Sequence, residues 1–152
     1  MIKKIILPIL ILAFQSSFSQ SLNFGLFEKL TEIASISIDE YMVEGYGYKK
    51  ISRKEDENVR KYGFVQNKNW DKAILVTVKY PRKTGYNIVE IGLGKGYELS
   101  EIKKLITANE GFEYKGVDKE IGLNTYKKKN LTLLTPRENK AESIIKLTLV
   151  RE

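Results

Sequence analysis

The chain has 152 residues, with 26 lysines and arginines against 19 aspartates and glutamates, and a formal net charge of +7. It contains neither cysteine nor histidine, which excludes disulfides, thiolate and imidazole catalysis, and the usual zinc, haem and iron–sulfur sites. Carboxylates, lysine, arginine and hydroxyl groups remain for chemistry. None of these groups occurs in a diagnostic motif, so we expect no catalytic residues, no metal site and no cofactor.

The first 20 residues have the pattern of a secretory signal peptide. Lys3 and Lys4 precede an apolar run of ten residues, and small side chains follow. The run is too short to span a membrane, which takes about 20 residues. Cleavage before Gln20 would remove a signal peptide over 1–19 and leave a mature chain with a net charge of about +5. We expect a bacterial protein of the periplasm or the extracellular medium, without a transmembrane segment.

The mature chain predicts two helices and eight strands. Apolar residues recur every three or four positions from Leu22 to Met42 and again from Glu98 to Asn109, as in amphipathic helices. Alternating apolar and β-branched runs predict strands. In chain order the predicted strands are 46–51, 60–66, 72–80, 86–93, 112–117, 123–128, 131–135 and 143–151.

The order of one helix and four strands occurs twice. EGYGYKKI at 44–51 aligns with EGFEYKGV at 110–117, an offset of 66. This predicts an α+β fold built as a tandem α-β4 repeat, an antiparallel sheet with helices packed on one face. The halves, 20–95 and 96–152, would form one globular unit joined by a flexible glycine-rich linker at 92–96. The alternative is chance, because helices often end in glycine and strands often begin with aromatic residues.

The predicted element order resembles that of the β-lactamase inhibitor protein family and related secreted modules. The resemblance extends over nearly the whole mature chain and is one of element order. It implies paired helix-and-strand units that present a concave sheet to a protein partner.

Aromatic residues close to basic ones are the candidate binding residues. Tyrosine, tryptophan and arginine dominate binding hot spots because each joins a large contact area to a polar group. The candidates are Tyr46, Tyr48, Trp70, Tyr80, Arg82, Lys83 and Tyr86. Trp70 lies in a predicted turn and is the strongest of them, although a tryptophan in a turn can equally cover the edge of a core.

These features predict a non-catalytic exported module that binds and occludes another protein, as an inhibitor or immunity protein does, with basic residues directing it to an acidic site. In one alternative, the same basic residues hold polyanionic glycans or lipid headgroups in the periplasm. In another, the protein is a carboxylate-dependent hydrolase. The acidic positions available for such chemistry are 39–40, 55–57, 118 and 120. Export argues against a nucleic-acid ligand, and the sequence leaves the oligomeric state open.

Overall fold

The computed structural model describes residues 22–138 and 144–152, so the predicted signal peptide lies outside the described residues. The strands are β1 Lys49–Glu55, β2 Val59–Gln66, β3 Ile74–Pro81, β4 Ile88–Leu93, β5 Glu113–Val117, β6 Asn124–Lys128, β7 Leu131–Thr135 and β8 Ile145–Arg151. They form one sheet in the order β1-β2-β3-β4-β8-β7-β6-β5, and every pairing is antiparallel. The prediction of a mixed, strand-rich fold with an antiparallel sheet is confirmed.

The predicted helix from Leu22 to Met42 is wrong as a single element. The structure has a short helix α1 at Phe24–Leu30 and then a separate helical segment over 35–45. At the break, Thr31 Oγ1 donates a hydrogen bond to the carbonyl oxygen of Glu28 (2.7 Å), and Ala34 adopts an extended backbone. A threonine that bonds to a backbone carbonyl within its own turn competes with helical hydrogen bonding, and here the helix ends.

The second predicted helix is confirmed. Helix α2 covers Leu99–Lys104 and continues as a π-helical stretch over Leu105–Asn109. The segment over 35–45 ends in the same way, with a π-helical stretch at Glu40–Gly45. None of the described helices has the length and the apolar sequence needed to cross a bilayer.

Alternate strand residues and the buried helical residues form one apolar core. The predicted alternation holds in β3, where Ile74, Val76 and Val78 are buried. It holds equally in β8, where Ile145, Leu147 and Leu149 are buried. The helical segments contribute Phe24, Leu26, Phe27, Leu30, Ile38, Met42, Leu99, Ile102 and Ile106 to the same cluster. The strand residues between the buried ones are partly exposed and form the other side of the sheet.

The glycine-rich stretch between β4 and α2 is packed, which corrects the prediction of a flexible linker. The backbone N–H of Gly94 donates to the carbonyl of Ala73 (2.9 Å), and that of Gly96 donates to the carbonyl of Asp71 (2.7 Å). A Cβ atom at Gly94 would lie 1.9 Å from the carbonyl oxygen of Trp70. These glycines therefore allow two backbone segments to approach closely.

Candidate functional site

The side of the sheet opposite the core is the candidate site, and we call it the open face. It consists of the strand residues that alternate with the buried ones, such as Leu75, Thr77 and Lys79 in β3. Direct cross-strand partners form one row through the middle of this face: Ser52, Gly63, Thr77, Glu90, Thr148, Leu134, Thr125 and Gly116. Because most of these side chains are small, they project little from the sheet in the middle of the open face.

One end of the open face carries a group of apolar side chains, with Lys49 and Lys146 on the same line of cross-strand partners. Val65 and Leu75 are direct cross-strand partners in β2 and β3. Next to them in β4 is Gly92, where a Cβ atom would lie 3.3 Å from the side chains of both Leu75 and Ile144. Ile144 is 49% exposed, and Ile51, beside the middle row, is 54% exposed. We call Ile51, Val65, Leu75 and Ile144 the apolar end. Exposed apolar groups that cluster in this way mark interaction surfaces.

The other end of the open face is basic in the first half of the sheet. Lys54, Lys61 and Lys79 are direct cross-strand partners on β1, β2 and β3, and we call them the lysine row. Lys79 Nζ lies 2.8 Å from Glu90 Oε1, and Lys146 Nζ lies 2.7 Å from the same oxygen. Among the described residues, Lys54 and Lys61 form no ion pair.

Glu90 is the acidic centre of this face. Burial alone would raise the pKa of its carboxyl, but hydrogen bonds from Lys146 and Lys79 outweigh burial and lower the pKa below its ordinary value. Glu90 is therefore ionised at neutral pH and shared between two lysines. Lys79 therefore has an ionised partner in direct contact. Lys54 and Lys61 have no such contact in the described residues, although the charge of Lys61 attracts the Asp56 carboxylate and helps to lower its pKa.

The seven residues predicted from the sequence do not form one cluster. Tyr46, Tyr48 and Trp70 lie at the end of the sheet where β1 begins and β2 ends, and Tyr80, Arg82, Lys83 and Tyr86 lie at the opposite end of β3. Tyr48 is only 4% exposed, and its burial raises the pKa of its hydroxyl. Tyr48 is thus a core residue in this structure and is not available as a surface anchor.

Trp70 is exposed on a firmly held turn. Its side chain is 68% exposed, and its backbone lies in a 3-10 turn over Trp70–Lys72. The side chain of Asn69 accepts a hydrogen bond from the N–H of Asp71 (3.0 Å), and Gly94 packs against the Trp70 carbonyl. The indole does not cover the core, so it is free to contact a partner. Its role in binding stays a prediction.

Two other predicted aromatic residues are also accessible. Tyr86 is exposed in the connection between β3 and β4, beside the exposed Arg82 and Lys83. Tyr46 is exposed at the end of segment 35–45 and packs on Tyr41 with a ring distance of 5.2 Å.

Tyr80 and Arg82 belong to a polar cluster on the core side of the first three strands. Glu55 Oε1 accepts hydrogen bonds from Arg60 (2.7 Å) and Arg82 (3.1 Å). Tyr80 lies directly opposite Arg60 in the sheet. The Tyr80 hydroxyl, Arg60 Nε and Asp39 Oδ1 are buried without a hydrogen-bond partner in the described part of the chain. The hydrogen-bonding groups of this cluster are therefore only partly paired.

The acidic residues considered for hydrolysis have structural partners. Asp56 accepts hydrogen bonds from the N–H groups of Asn58 (2.9 Å) and Val59 (2.8 Å), and these bonds lower the pKa of its carboxyl. The hydrogen bond from Arg60 likewise lowers the pKa of Glu55. Asp118 accepts from the backbone in the hairpin between β5 and β6. Within residues 22–138 and 144–152, no three acidic side chains converge as metal ligands would.

Two shallow grooves lie away from the middle of the open face. One, of about 500 Å³, follows segment 35–45 and is lined by Ile33, Ser37, Glu40, Tyr41, Glu44 and Gly45. The other, of about 480 Å³, lies at the β5–β6 edge and is lined by Gly111, Glu113, Lys115, Lys127, Lys128 and Lys129. In the second groove Lys115, Lys127 and Lys128 each pair with a glutamate. Its lysines are therefore mostly neutralised.

The lysine row and the apolar end were not predicted from the sequence. Alternation in β3 already places Leu75, Thr77 and Lys79 opposite the core residues. Which residues lie beside them depends on strand register, which hairpin length and turn type set. The row of three lysines and the group of apolar side chains become visible only once the register is known.

Comparisons of the chain with protein-family models, with curated proteins and with solved structures gave no match. The resemblance to β-lactamase inhibitor proteins stays one of predicted element order. The function of the open face has to be inferred from its own geometry and chemistry.

Proposed function

We propose that this protein is a non-catalytic exported binding module that occludes another protein with the open face of its sheet, as an inhibitor or immunity protein does. The supporting observation is that this face carries a group of exposed apolar side chains together with a row of lysines. Apolar side chains supply contact area in protein interfaces, while charges guide the approach and select the partner. Export to the periplasm or the medium is part of the proposal, from the sequence of residues 1–19.

The size of the face suits such an interface. Eight strands spaced by about 4.8 Å, each about 20 Å long, make a surface of roughly 35 Å by 20 Å, or about 700 Å². Standard protein interfaces bury about 800 Å² on each partner. The open face together with an exposed side chain such as Trp70 reaches that size.

We infer further that the two halves are tandem copies whose helical segments, 35–45 and 99–109, lie on one face of the sheet. The support comes from equivalent features 64 positions apart, at 47 and 111 and at 48 and 112. Gly47 and Gly111 have φ values of 69° and 71°, and the N–H groups of Tyr48 and Phe112 donate to helical carbonyls at 3.0 and 3.1 Å. Duplication would explain how one continuous face of eight strands arose. The offset of 66 used for the sequence alignment differs by two positions.

The alternative functions have less support. A glycan or lipid headgroup would use the lysines but leave the apolar end without a role. A hydrolase would need a carboxylic acid whose pKa is raised, whereas the neighbours of Glu55 and Asp56 lower theirs. A screen in which each acidic residue is replaced by its amide would revive the hydrolase proposal if any single variant lost a detected activity.

A capture experiment with matched variants tests the proposal. The exported protein is immobilised and exposed to envelope and secreted proteins of its own and neighbouring bacteria. Thr77→Arg places a large side chain in the middle row of the open face, and Ser100→Arg places the same side chain on the exposed side of α2. Circular dichroism verifies that both variants fold.

We expect wild type and Ser100→Arg to capture the same protein in equal amounts, and Thr77→Arg to capture at least tenfold less. A steric block at a central interface position removes well-packed contacts, and these dominate affinity. Equal capture by Thr77→Arg and wild type would contradict the proposal. So would loss of capture by Ser100→Arg alone.

A further inference from the structure

We infer that the surface bound by the open face is acidic, and that the lysine row is the part of this protein that recognises it. The inference rests on the proposed function, because it names the chemistry of the partner that the open face would bind. Its observations are the register of three lysines and the distribution of the carboxylates around them.

The lysine row is unfavourable in the free protein. Lys61 lies directly opposite Lys54 on one side and Lys79 on the other. Directly opposite side chains on antiparallel strands have Cβ atoms about 4.5–5.5 Å apart, and like charges in these positions destabilise a sheet. Lys79 shares Glu90 with Lys146. Lys54 and Lys61 have no direct ion pair among the described residues, and the attraction of Asp56 offsets part of the repulsion at Lys61.

The sheet does not need a lysine at every position of the line on which the lysine row lies. The same transverse line continues through Ile88, Val150 and Thr132 into the second half. There Lys127 lies directly opposite Glu113, and it also pairs with Glu152 at 2.9 Å. At one end of this line Lys54 and Lys61 thus lack a direct ion pair among the described residues, and at the other end Lys127 has one.

Protection of the sheet edge explains only part of the row. Lysines on edge strands prevent unwanted pairing with another chain, which suffices for Lys54 on β1. Lys61 and Lys79 lie on β2 and β3, which are paired on both sides. Repulsion on internal strands is relieved when an anionic surface covers it, and this gives the row a role in binding.

A protein fits the face better than a polyanionic glycan. Val65 and Leu75 lie on the same face of the same two strands as Lys61 and Lys79, and a sulfated or phosphorylated polymer gains little from apolar side chains. A protein surface that carries carboxylates beside apolar residues complements both ends. The geometry thus favours an acidic protein.

The first test measures the free protein and needs no partner. Lys61→Gln removes the central charge of the row, and Lys127→Gln removes a charge from the balanced end of the same line. We expect Lys61→Gln to raise the midpoint of thermal unfolding at low salt and Lys127→Gln to leave it unchanged or lower it. A lower midpoint for Lys61→Gln than for wild type would contradict the inference.

The second test measures recognition with defined probes. A hexaglutamate peptide and dextran sulfate are titrated into wild type and both variants at about 20 mM salt. We expect Lys61→Gln to weaken hexaglutamate binding about threefold, which is the scale of one exposed ion pair, and Lys127→Gln to weaken it less. Dextran sulfate, which binds through overall charge, should weaken equally in the two variants. If Lys61→Gln alone weakens the binding of dextran sulfate and leaves the binding of hexaglutamate unchanged, the inference is overturned in favour of a polyanion.

The two proposals fail in different ways. If Thr77→Arg abolishes capture of the partner while Lys61→Gln leaves its affinity and salt dependence unchanged, the open face binds but the lysine row does not recognise acid. If Thr77→Arg leaves capture intact, the proposed function itself fails.

Discussion

Each half of the sheet has a polar cluster with buried atoms, and the two clusters differ in hydrogen bonding, although buried Asn87 in the first half donates to the carbonyls of Leu30 and Ile33 at 2.8 Å each. In the second half, buried Asn124 donates to Pro136 O (3.1 Å) and to Thr135 Oγ1 (3.5 Å), and it accepts from the Tyr114 hydroxyl (3.4 Å). In the first half, buried atoms of Tyr80, Arg60 and Asp39 lack partners in the described residues. Buried polar groups without hydrogen bonds destabilise a fold.

The open face shows the same contrast. Lys127 in the second half has acidic neighbours, while Lys61 in the first half lies between two lysines. Sequences depart from locally favourable choices mainly at functional sites. The comparison therefore directs attention to the first half, and four predictions test it.

The largest expected effect concerns the strand pair that joins the halves. Leu147 is fully buried in β8 and lies directly opposite Ile91 in β4. Leu147→Ala should lower the free energy of unfolding by about 2–5 kcal/mol, as for other buried leucines. Urea unfolding followed by Trp70 fluorescence and by circular dichroism measures it. Both signals should change together, and a first half that unfolds at a different urea concentration would show that the halves are independent.

The packed linker predicts the next largest effect. Gly94→Ala would place a Cβ atom 1.9 Å from the carbonyl oxygen of Trp70, and overpacking of this kind costs about 1–3 kcal/mol or more. Gly85→Ala is the matched control, because no atom lies within 4 Å of the added Cβ. Thermal unfolding should show a clear loss for Gly94→Ala and almost none for Gly85→Ala. Equal unfolding midpoints for the two variants would mean that the backbone around Gly94 can shift at little cost in stability.

The two polar clusters predict effects of opposite sign. Asn124→Ala leaves buried partners without hydrogen bonds and should cost about 1–3 kcal/mol. Tyr80→Phe removes a buried hydroxyl that lacks a partner, so stability should stay the same or rise by up to about 1 kcal/mol. Urea unfolding of both variants measures the difference. If Tyr80→Phe proves as damaging as Asn124→Ala, then the first half is as well satisfied as the second.

The smallest effect is a dependence on pH at Glu90. Its lowered pKa means that the ionised carboxylate stabilises the folded chain above its ordinary pKa of 4.5, and that this contribution is lost as the pH falls through the folded-state pKa. The difference in unfolding midpoint between wild type and Glu90→Gln should be largest near neutral pH and shrink below about pH 4.5. A difference that stays constant down to about pH 3 would contradict the shared ion pair.

The strands could be predicted from the sequence because the pattern that indicates them is local. Every second residue of β3 from Ile74 to Val78 is apolar and β-branched, and the predicted strand 131–135 coincides with β7. The break in the first helix could not be predicted, since Thr31 to Ala34 continue the helical spacing of apolar residues. What ends the helix is the hydrogen bond of Thr31 to Glu28, which no periodicity reveals.

Only part of the candidate site could be predicted from the sequence. Residue types indicated Trp70 as an anchor, but its exposure depends on how Gly94 and Gly96 pack against its turn. Tyr48 follows Gly47 just as Tyr46 precedes it, yet Tyr48 is buried, and its N–H donates to Met42 O at the end of the helical segment. The lysine row needs the register of three strands, which no single stretch of sequence contains.

The central claim is that the open face binds the partner, and methyl NMR of the captured complex tests it most directly. We predict that the methyl signals of Val65, Leu75 and Ile144 shift or broaden on binding, while those of Val76 and Leu147 in the core change little. Changes confined to Ile36 and Val43, which are exposed on segment 35–45, would place the partner elsewhere and contradict the claim.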